Sequence, residues 1–358
     1  MASAFFIFHF EFFILKVLIL KPSSLGDVIQ ALPVARLIKR HLPHAEIHWW
    51  IDAGLAPLLE GDPDLAGTVR FTRKNFFKPG NLRQFARDLR WMREQHFDWV
   101  IDLQGLARSG TIAWLANGRK LIGLDEPREG ARGYYDLIIQ RPSWDTHAVD
   151  WYLRVLPPLG VPVDLNFDWL PVRPAVAEAV RAKWNTAGKR WVLLQPGARW
   201  ENKRWPAEHF AATVLRLAAA QPGLHFAVLG GRDDAEAGKK ISAVLPERCL
   251  DLTGQTTLPE MIEWVRLAAL LITNDTGPMH VAAALHTPLI ALFGPTAPQR
   301  TGPYGQLQNV LRLDLPCVPC MKSRCQWSEP LACLRGLEVE RVVNVVRKKL
   351  GEANTRQE

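Results

Sequence analysis

The chain lacks the short signatures of the commonest cofactor and hydrolase sites. Its 358 residues contain no G-x-G-x-x-G run, no G-x-S-x-G and no H-E-x-x-H. Ordinary dinucleotide binding, a serine nucleophile elbow and a zinc-peptidase helix are therefore not written here. A D-x-D spelling occurs as Asp62-Pro63-Asp64, but the glycine and proline around it make the stretch a turn. No short internal repeat and no nucleic-acid recognition module is found, so nucleic acid is not an expected partner. Charge of one sign is not gathered in a tail. Residues 1–165 carry 20 basic against 18 acidic side chains and residues 166–358 carry 24 against 18, so the net +8 is spread over both halves.

Uninterrupted apolar runs are scarce as well. Residues 5–20 are apolar and aromatic, but His9, Glu11 and Lys16 break them. The stretch has neither the basic start and cleavage site of a signal peptide nor the clean length of a spanning helix. Residues 1–15 read as an appendage: an interfacial anchor, an extra strand or a misassigned start. Cysteines number five. Cys317, Cys320, Cys325 and Cys333 fall in one segment as C-x2-C-x4-C-x7-C, a spacing that four soft metal ligands can adopt. In a chain read as cytosolic the expectation is reduced or redox-labile thiols there, with no cofactor required.

What the chain does have is alternation. With 48% apolar and 22% charged residues it is long enough for two ordinary α/β domains. In the first half, strands are expected at 16–20, 47–51, 99–103 and 121–124, and helices at 28–41, 82–95 and 110–116. Val28, Ala31, Leu32, Ala35 and Ile38 share one helical face. A proline-rich junction follows at 156–174. Strands are then expected at 191–195, 225–229, 270–273 and 289–293, with helices at 207–220, 234–244, 259–268 and 277–285. Strands separated by helices imply an α/β fold with parallel sheets and βαβ units. The expected bodies are 16–165, a linker at 166–190, 191–337, and a basic final helix and tail at 338–358 that packs across the junction.

Ligands in such folds sit outside the strand carboxyl ends, and four turns there carry chemistry. After the first strand comes KPSSLGD: Ser23, Ser24 and Gly26 let backbone approach a ligand, and Asp27 opens the helix. A carboxylate at that place is either a helix cap or a general base for an attacking hydroxyl. The second turn offers Gln104 and Arg108 to the cleft edge, Arg108 being a grip for carboxylate or phosphate or a surface salt bridge. The third, QPGARWENKRWP, brings Lys203 to neutralise a diphosphate, with Trp205 as packing beneath. The fourth, TNDTGPMH, sets the Thr276 hydroxyl and the amides at Gly277 at a helix start, where unpaired N–H groups and the dipole favour phosphate. Asp275 is placed for a sugar hydroxyl, and His280 faces the same pocket. Gly230 and Gly231, with Glu236 downstream, border a ribose or base. Lys203 and the helix termini would then take the place of Mg²⁺. One patch stands apart: from Arg70 to Arg93 eight basic residues meet one acid, Asp88. It is either a solvated helix face or a surface for anionic partners.

VLILKPSSLGDVIQALP, IDLQGLARSG, PGARWENKRWP and TNDTGPMHVAAALHTPLIALFGPT together resemble glycosyltransferase family 9, the lipopolysaccharide heptosyltransferases, over residues 16–350. The resemblance implies the GT-B fold, two Rossmann-like domains with parallel sheets facing a central cleft and the donor in the second. It implies inverting, metal-independent transfer of heptose from ADP-heptose onto Kdo-lipid A or a heptosylated core. The enzyme would be cytoplasmic and peripheral at the inner face of the inner membrane. Position by position, Asp27 matches the base, and Lys203, Asp275, Thr276, Gly277 and His280 match the donor site. Arg108 falls where the family is basic near the acceptor, and Ser24 and Gln104 join it there. His147-Ala148-Val149-Asp150 also resembles the family. Ala198-Arg199 stands where some members carry hydroxyls, and the cysteine segment resembles only part of the family. A nucleotide-sugar epimerase of the same architecture and a non-catalytic nucleotide-sugar binder remain rival readings.

Overall fold

The computed structural model describes residues 14–72, 78–126 and 129–354. Most of the 1–15 appendage, and Arg73 and Lys74 of the basic stretch, lie outside the described residues. The first half contains β1 (Lys16–Leu20), α1 (Leu25–His41), β2 (Glu46–Asp52), β3 (Gly67–Phe71), α2 (Pro79–Glu94), β4 (Trp99–Asp102), α3 (Ala107–Ala116), β5 (Lys120–Leu124), β6 (Leu137–Ile139) and α4 (Ala148–Leu153). After α5 (Pro174–Trp184), the second half runs β7 (Arg190–Gln195), α6 (Ala207–Ala220), β8 (Leu224–Val228), α7 (Ala235–Ser242), β9 (Cys249–Asp251), α8 (Leu258–Leu267), β10 (Leu270–Asn274), α9 (Gly277–Ala284), β11 (Leu289–Leu292), α10 (Pro298–Thr301), β12 (Val310–Leu311), α11 (Ala332–Arg335) and α12 (Val339–Asn354).

Each half is one six-stranded parallel sheet, ordered β3-β2-β1-β4-β5-β6 and β12-β11-β10-β7-β8-β9. Counted from its own first strand, each order is 3-2-1-4-5-6, the doubly wound arrangement. Its crevice lies where the order reverses, between strands one and four. The crevices therefore open at the ends of β1 and β4 and at the ends of β7 and β10. Those are the ends from which all four chemistry-bearing turns leave.

The strands are apolar along both faces because helices cover both. Val17 and Ile19 point to one side and Leu18 and Leu20 to the other, all fully buried. One apolar cluster runs from β1 through α1 and α4 into α8 and α9, joining the halves. A second fills the far face of the second sheet with Trp205, Phe210 and residues of α12. Here the sequence expectation is corrected. The final helix does not bridge the junction; Val342, Val346 and Leu350 pack in the second core, because its apolar stripe matches α6.

The proline-rich connector also holds more order than a linker implies. Pro174 starts α5, and α5 packs on α8. Upstream, Arg173 donates to the carbonyls of Pro57, Leu58 and Glu60 at 2.7–3.0 Å. The Asp62-Pro63-Asp64 turn is held from α1. Buried Arg36 forks onto Asp62 at 2.6 and 2.5 Å, reaches Asp64 at 2.8 Å, and donates to the Trp169 carbonyl at 3.1 Å. Both acids are thereby committed to protein structure.

Candidate active site at the opposed strand ends

α1 begins where β1 ends, and Asp27 lies in its first turn. Oδ2 accepts the Ser24 amide at 3.0 Å and the Ser24 hydroxyl at 2.7 Å. That oxygen does the work of a cap, closing the helix start. Oδ1 faces the other way: the Tyr152 hydroxyl donates to it at 3.3 Å and the Lys21 ammonium lies 3.9 Å away. The side chain keeps 40% of its surface open. The two readings of Asp27 thus occupy different oxygens of one carboxylate. Surrounding protein pushes its pKa up, but Lys21, the Ser24 donors and His280 outweigh this and hold it below the ordinary value.

The β4 turn is organised by Asp102. Its Oδ1 accepts the amides of Gln104 and Gly105 at 2.8 and 3.1 Å, and Oδ2 accepts the Tyr135 hydroxyl at 2.8 Å. Burial raises the Asp102 pKa against those donors. Gln104 is held at the cleft end of β4, and its carboxamide oxygen is buried without a protein partner. A buried acceptor in this state can take a hydrogen bond from a hydroxyl or amide outside the protein. Arg108 is exposed and paired with Glu129 at 3.1 Å, a weak surface tie that leaves its side chain at the rim. Ser24 is exposed beside Asp27, its hydroxyl turned to that carboxylate.

From the second half, Lys203 donates to Asp275 Oδ2 at 2.6 Å and rests on the Trp200 ring at 4.6 Å. The Thr296 hydroxyl donates to the same oxygen at 2.6 Å. An ammonium has three donors, so one bond to Asp275 leaves Lys203 able to meet phosphate. The loop carrying it is pinned below: the Trp205 amide donates to Asn274 Oδ1 at 3.1 Å, and Asn274 donates to the Pro196 carbonyl at 2.7 Å. Trp205 itself is buried, as packing under the loop.

α9 starts at Gly277, with Thr276 as its N-cap. A Cβ on Gly26 would stand 2.3 Å from His280 Cδ2, and one on Gly277 would stand 2.7 Å from Leu25 Cδ2. Only glycine lets the starts of α1 and α9 approach this closely. His280 is 8% exposed. Burial drives its pKa down to about 4, against the pull of Asp275 and Asp27 and with the push of His147 and Lys203. The imidazole is therefore neutral at pH 7. Glu236 sits apart, exposed in the first turn of α7 beyond the end of β8.

The structure brings Asp27, Lys203, Asp275, Thr276, Gly277 and His280 together. Gln104, Ser24 and Arg108 follow along the first crevice, and Glu236 lies at the edge of the second. Sequence reasoning gave no role to Lys21, Tyr152 or Thr296. Thr296 follows β11, so the strand-end rule applied once more would have reached it. Tyr152 lies in a helix too short to show a period.

The four clustered cysteines line one cavity of about 330 Å³ with Asn202, Pro295 and Trp327. All are free thiols, and the Cys333 thiol, pushed up to about 11 by burial and then by the other three, faces them. Among the described residues no group of three or more His, Cys, Asp or Glu stands where it could hold a metal ion. Asn202 precedes Lys203, and Pro295 precedes Thr296, so the segment underlies the loops after β7 and β11.

A family model described as glycosyltransferase family 9 (heptosyltransferase) matches residues 84–329. Lipopolysaccharide heptosyltransferase 1 of Pseudomonas aeruginosa is 30% identical over 326 residues, 87% of this chain and 88% of that protein. Among solved structures, the E. coli ADP-heptose LPS heptosyltransferase II superposes with a TM-score of 0.77 at 23% identity, over 95% of this chain and 100% of that one. The E. coli heptosyltransferase WaaC with ADP gives 0.77 at 23% identity, over 94% and 100%. At those identities the superpositions carry the fold, which is GT-B.

Proposed function

The chain belongs to glycosyltransferase family 9, the heptosyltransferases, and from that premise we propose that it transfers heptose from ADP-heptose to the lipopolysaccharide inner core, with inversion and without a metal ion. The observation that carries this reading is the meeting of two unlike half-sites. An open, ionised carboxylate lies beyond the end of β1, and a lysine and a helix start, suited to a diphosphate, lie beyond the ends of β7 and β10. The donor assignment is supported by the names of the E. coli structures, one an ADP-heptose heptosyltransferase and one holding ADP.

In this mechanism the acceptor hydroxyl attacks the anomeric carbon from the face opposite the diphosphate. Asp27 Oδ1 takes the hydroxyl proton as the new C–O bond forms. The bond to the diphosphate breaks, and ADP leaves with the electron pair. One displacement inverts the anomeric centre. A carboxylate held below its ordinary pKa is a weak base, so proton transfer comes late, once the attacking oxygen has become acidic. Lys203 and the amides at the start of α9 stabilise the charge that grows on the diphosphate. Neutral His280 offers a hydrogen bond there without drawing the negative charge of Asp27 to itself. Gln104, Ser24 and Arg108 line the route of an acceptor, Kdo-lipid A or a heptosylated core.

The same reading places the enzyme at the cytoplasmic face of the inner membrane as a peripheral protein. No helix among the described residues is long and apolar enough to cross a bilayer. α2 is amphipathic: Arg83, Arg87 and Arg90 are exposed on it, with Leu82 41% exposed and Trp114 of α3, beside it, 59% exposed. Cations around exposed apolar side chains suit an anionic lipid surface.

The test is ADP release from ADP-heptose by purified enzyme in EDTA, with and without heptose-deficient lipopolysaccharide. Release that depends on acceptor and survives EDTA is expected. Donor turnover without acceptor would favour the epimerase reading, and full loss in EDTA would refute metal independence.

A further inference from the structure

The transfer chemistry leaves α4 without a role, yet this six-residue helix is tied at both ends. At its start, His147 Nδ1 accepts the Val149 amide at 3.2 Å, and Nε2 bonds the Gly302 carbonyl at 3.1 Å. An amide can only donate and a carbonyl can only accept, so the ring is the neutral Nε2–H tautomer. Burial lowers the His147 pKa to match, with Arg141 pushing the same way against Asp150 and the Gly302 carbonyl. Tyr304 packs on the imidazole, ring centres 4.9 Å apart, and donates its hydroxyl to Asp150 at 2.6 Å. Gly302 and Tyr304 belong to the donor half. At the far end of the helix, Tyr152 reaches Asp27 Oδ1.

Tyr152 is 4% exposed. A buried hydroxyl is costly unless bonded, and packing alone would be served by phenylalanine. The hydroxyl spends its bond on the oxygen of Asp27 that Ser24 leaves free. Its ring meanwhile lies 4.6 Å from the Lys21 ammonium, which also faces Asp27. The charged and titratable groups around Asp27 are thus Lys21 from the turn after β1, Tyr152 from α4 and His280 from α9. A distance of 3.3 Å is long for O–H···O, and bonds of this kind tighten as a site closes.

We propose that Tyr152 is a positioning residue for Asp27, and that α4 couples its placement to the donor half through His147 and Asp150. The inference rests on the transfer reading above, in which Asp27 is the base. Approach of the donor half and aiming of the carboxylate then become one event, so the base is set only when donor and acceptor are aligned.

The experiment compares Tyr152→Phe, Tyr304→Phe and the double variant for kcat, donor KM and the pH profile of kcat/KM, after ADP affinity has shown each to be folded. Tyr152→Phe is expected to lower kcat roughly tenfold or more with donor KM unchanged, the loss of a hydrogen bond to a charged group. The acid limb should move to higher pH, because the carboxylate loses a donor that favours its charged form. Tyr304→Phe should shift the same limb by less, and the double variant should cost no more than Tyr152→Phe alone. Native kcat and pH profile in Tyr152→Phe would overturn the proposal, as would losses that simply multiply in the double variant. Should Tyr152→Phe not fold, a native pH profile in Tyr304→Phe alone overturns it. Failure of the wild type to use ADP-heptose at all would instead strike the transfer reading.

Discussion

His280 makes the stability of this enzyme fall on acidification below the ordinary pKa of histidine. Its pKa is down to about 4 in the folded chain, against an ordinary value of 6.5. The folded state therefore refuses a proton that the unfolded state accepts below 6.5. The unfolded state binds more protons, so stability rises with pH through the window from 4 to 6.5 and is flat above it. Taking the enzyme from pH 7 to pH 4.5 should cost roughly 2 kcal/mol from this one residue, since a tenfold difference in proton affinity is worth about 1.4 kcal/mol. The assay is urea unfolding followed by tryptophan fluorescence at several pH values, for wild type and His280→Asn. Asparagine does not titrate, so the variant should be less sensitive to pH by about 2 kcal/mol over that range, whatever its stability at pH 7. His147 and His209, also lowered by burial, remain in both proteins and cancel in the comparison. Parallel stability curves for the two proteins would refute the burial argument.

Three further outcomes follow from particular contacts. Lys203→Ala removes the 2.6 Å tie to Asp275 and the cation above Trp200; ADP affinity by calorimetry should fall about tenfold to hundredfold, and unchanged affinity would remove Lys203 from the donor site. Asp62→Asn breaks the buried fork from Arg36 and should cost about 3 kcal/mol in denaturant unfolding, with specific activity retained by the folded fraction; a loss under about 1 kcal/mol would show that Asp64 alone satisfies the guanidinium. Reversing Arg83, Arg87 and Arg90 to Glu should weaken sedimentation with anionic vesicles more than tenfold, at about 1 kcal/mol per charge, while ADP affinity stays native. Equal sedimentation would move the membrane surface away from α2.

The turns after β1 and β10 were legible because each joins a fully buried apolar strand to a helix through small and polar residues. Periodicity change and turn chemistry then point to one place. The same logic reached Lys203 through a strand, a glycine and a helix-starting proline. β3 was not legible, because Gly67, Thr68 and Arg70 give an edge strand no apolar run, and β6 and α4 were too short to show a period. The prolines before α5 hid a good helix former, PAVAEAVRAKW, behind a linker composition. Arg36 with Asp62 and Asp64, and Tyr152 with Asp27, are pairings of distant residues that no local pattern encodes. The two oxygens of Asp27 could not be told apart from sequence, so cap and base stood as rivals, whereas in the fold Oδ2 takes the Ser24 donors and Oδ1 is left for the proposed base.

Asp27 is the centre of the proposed chemistry, and the most direct test of its role is the transfer rate of Asp27→Asn at saturating ADP-heptose and acceptor, with ADP affinity measured on the same preparation. Asparagine keeps the Ser24 hydrogen bonds within reach but cannot take a proton. A fall in kcat of about 10²- to 10⁴-fold with native ADP affinity is the predicted result. A kcat within a few-fold of wild type would contradict it, leaving Asp27 only its part in the capping box with Ser24 and placing the base elsewhere.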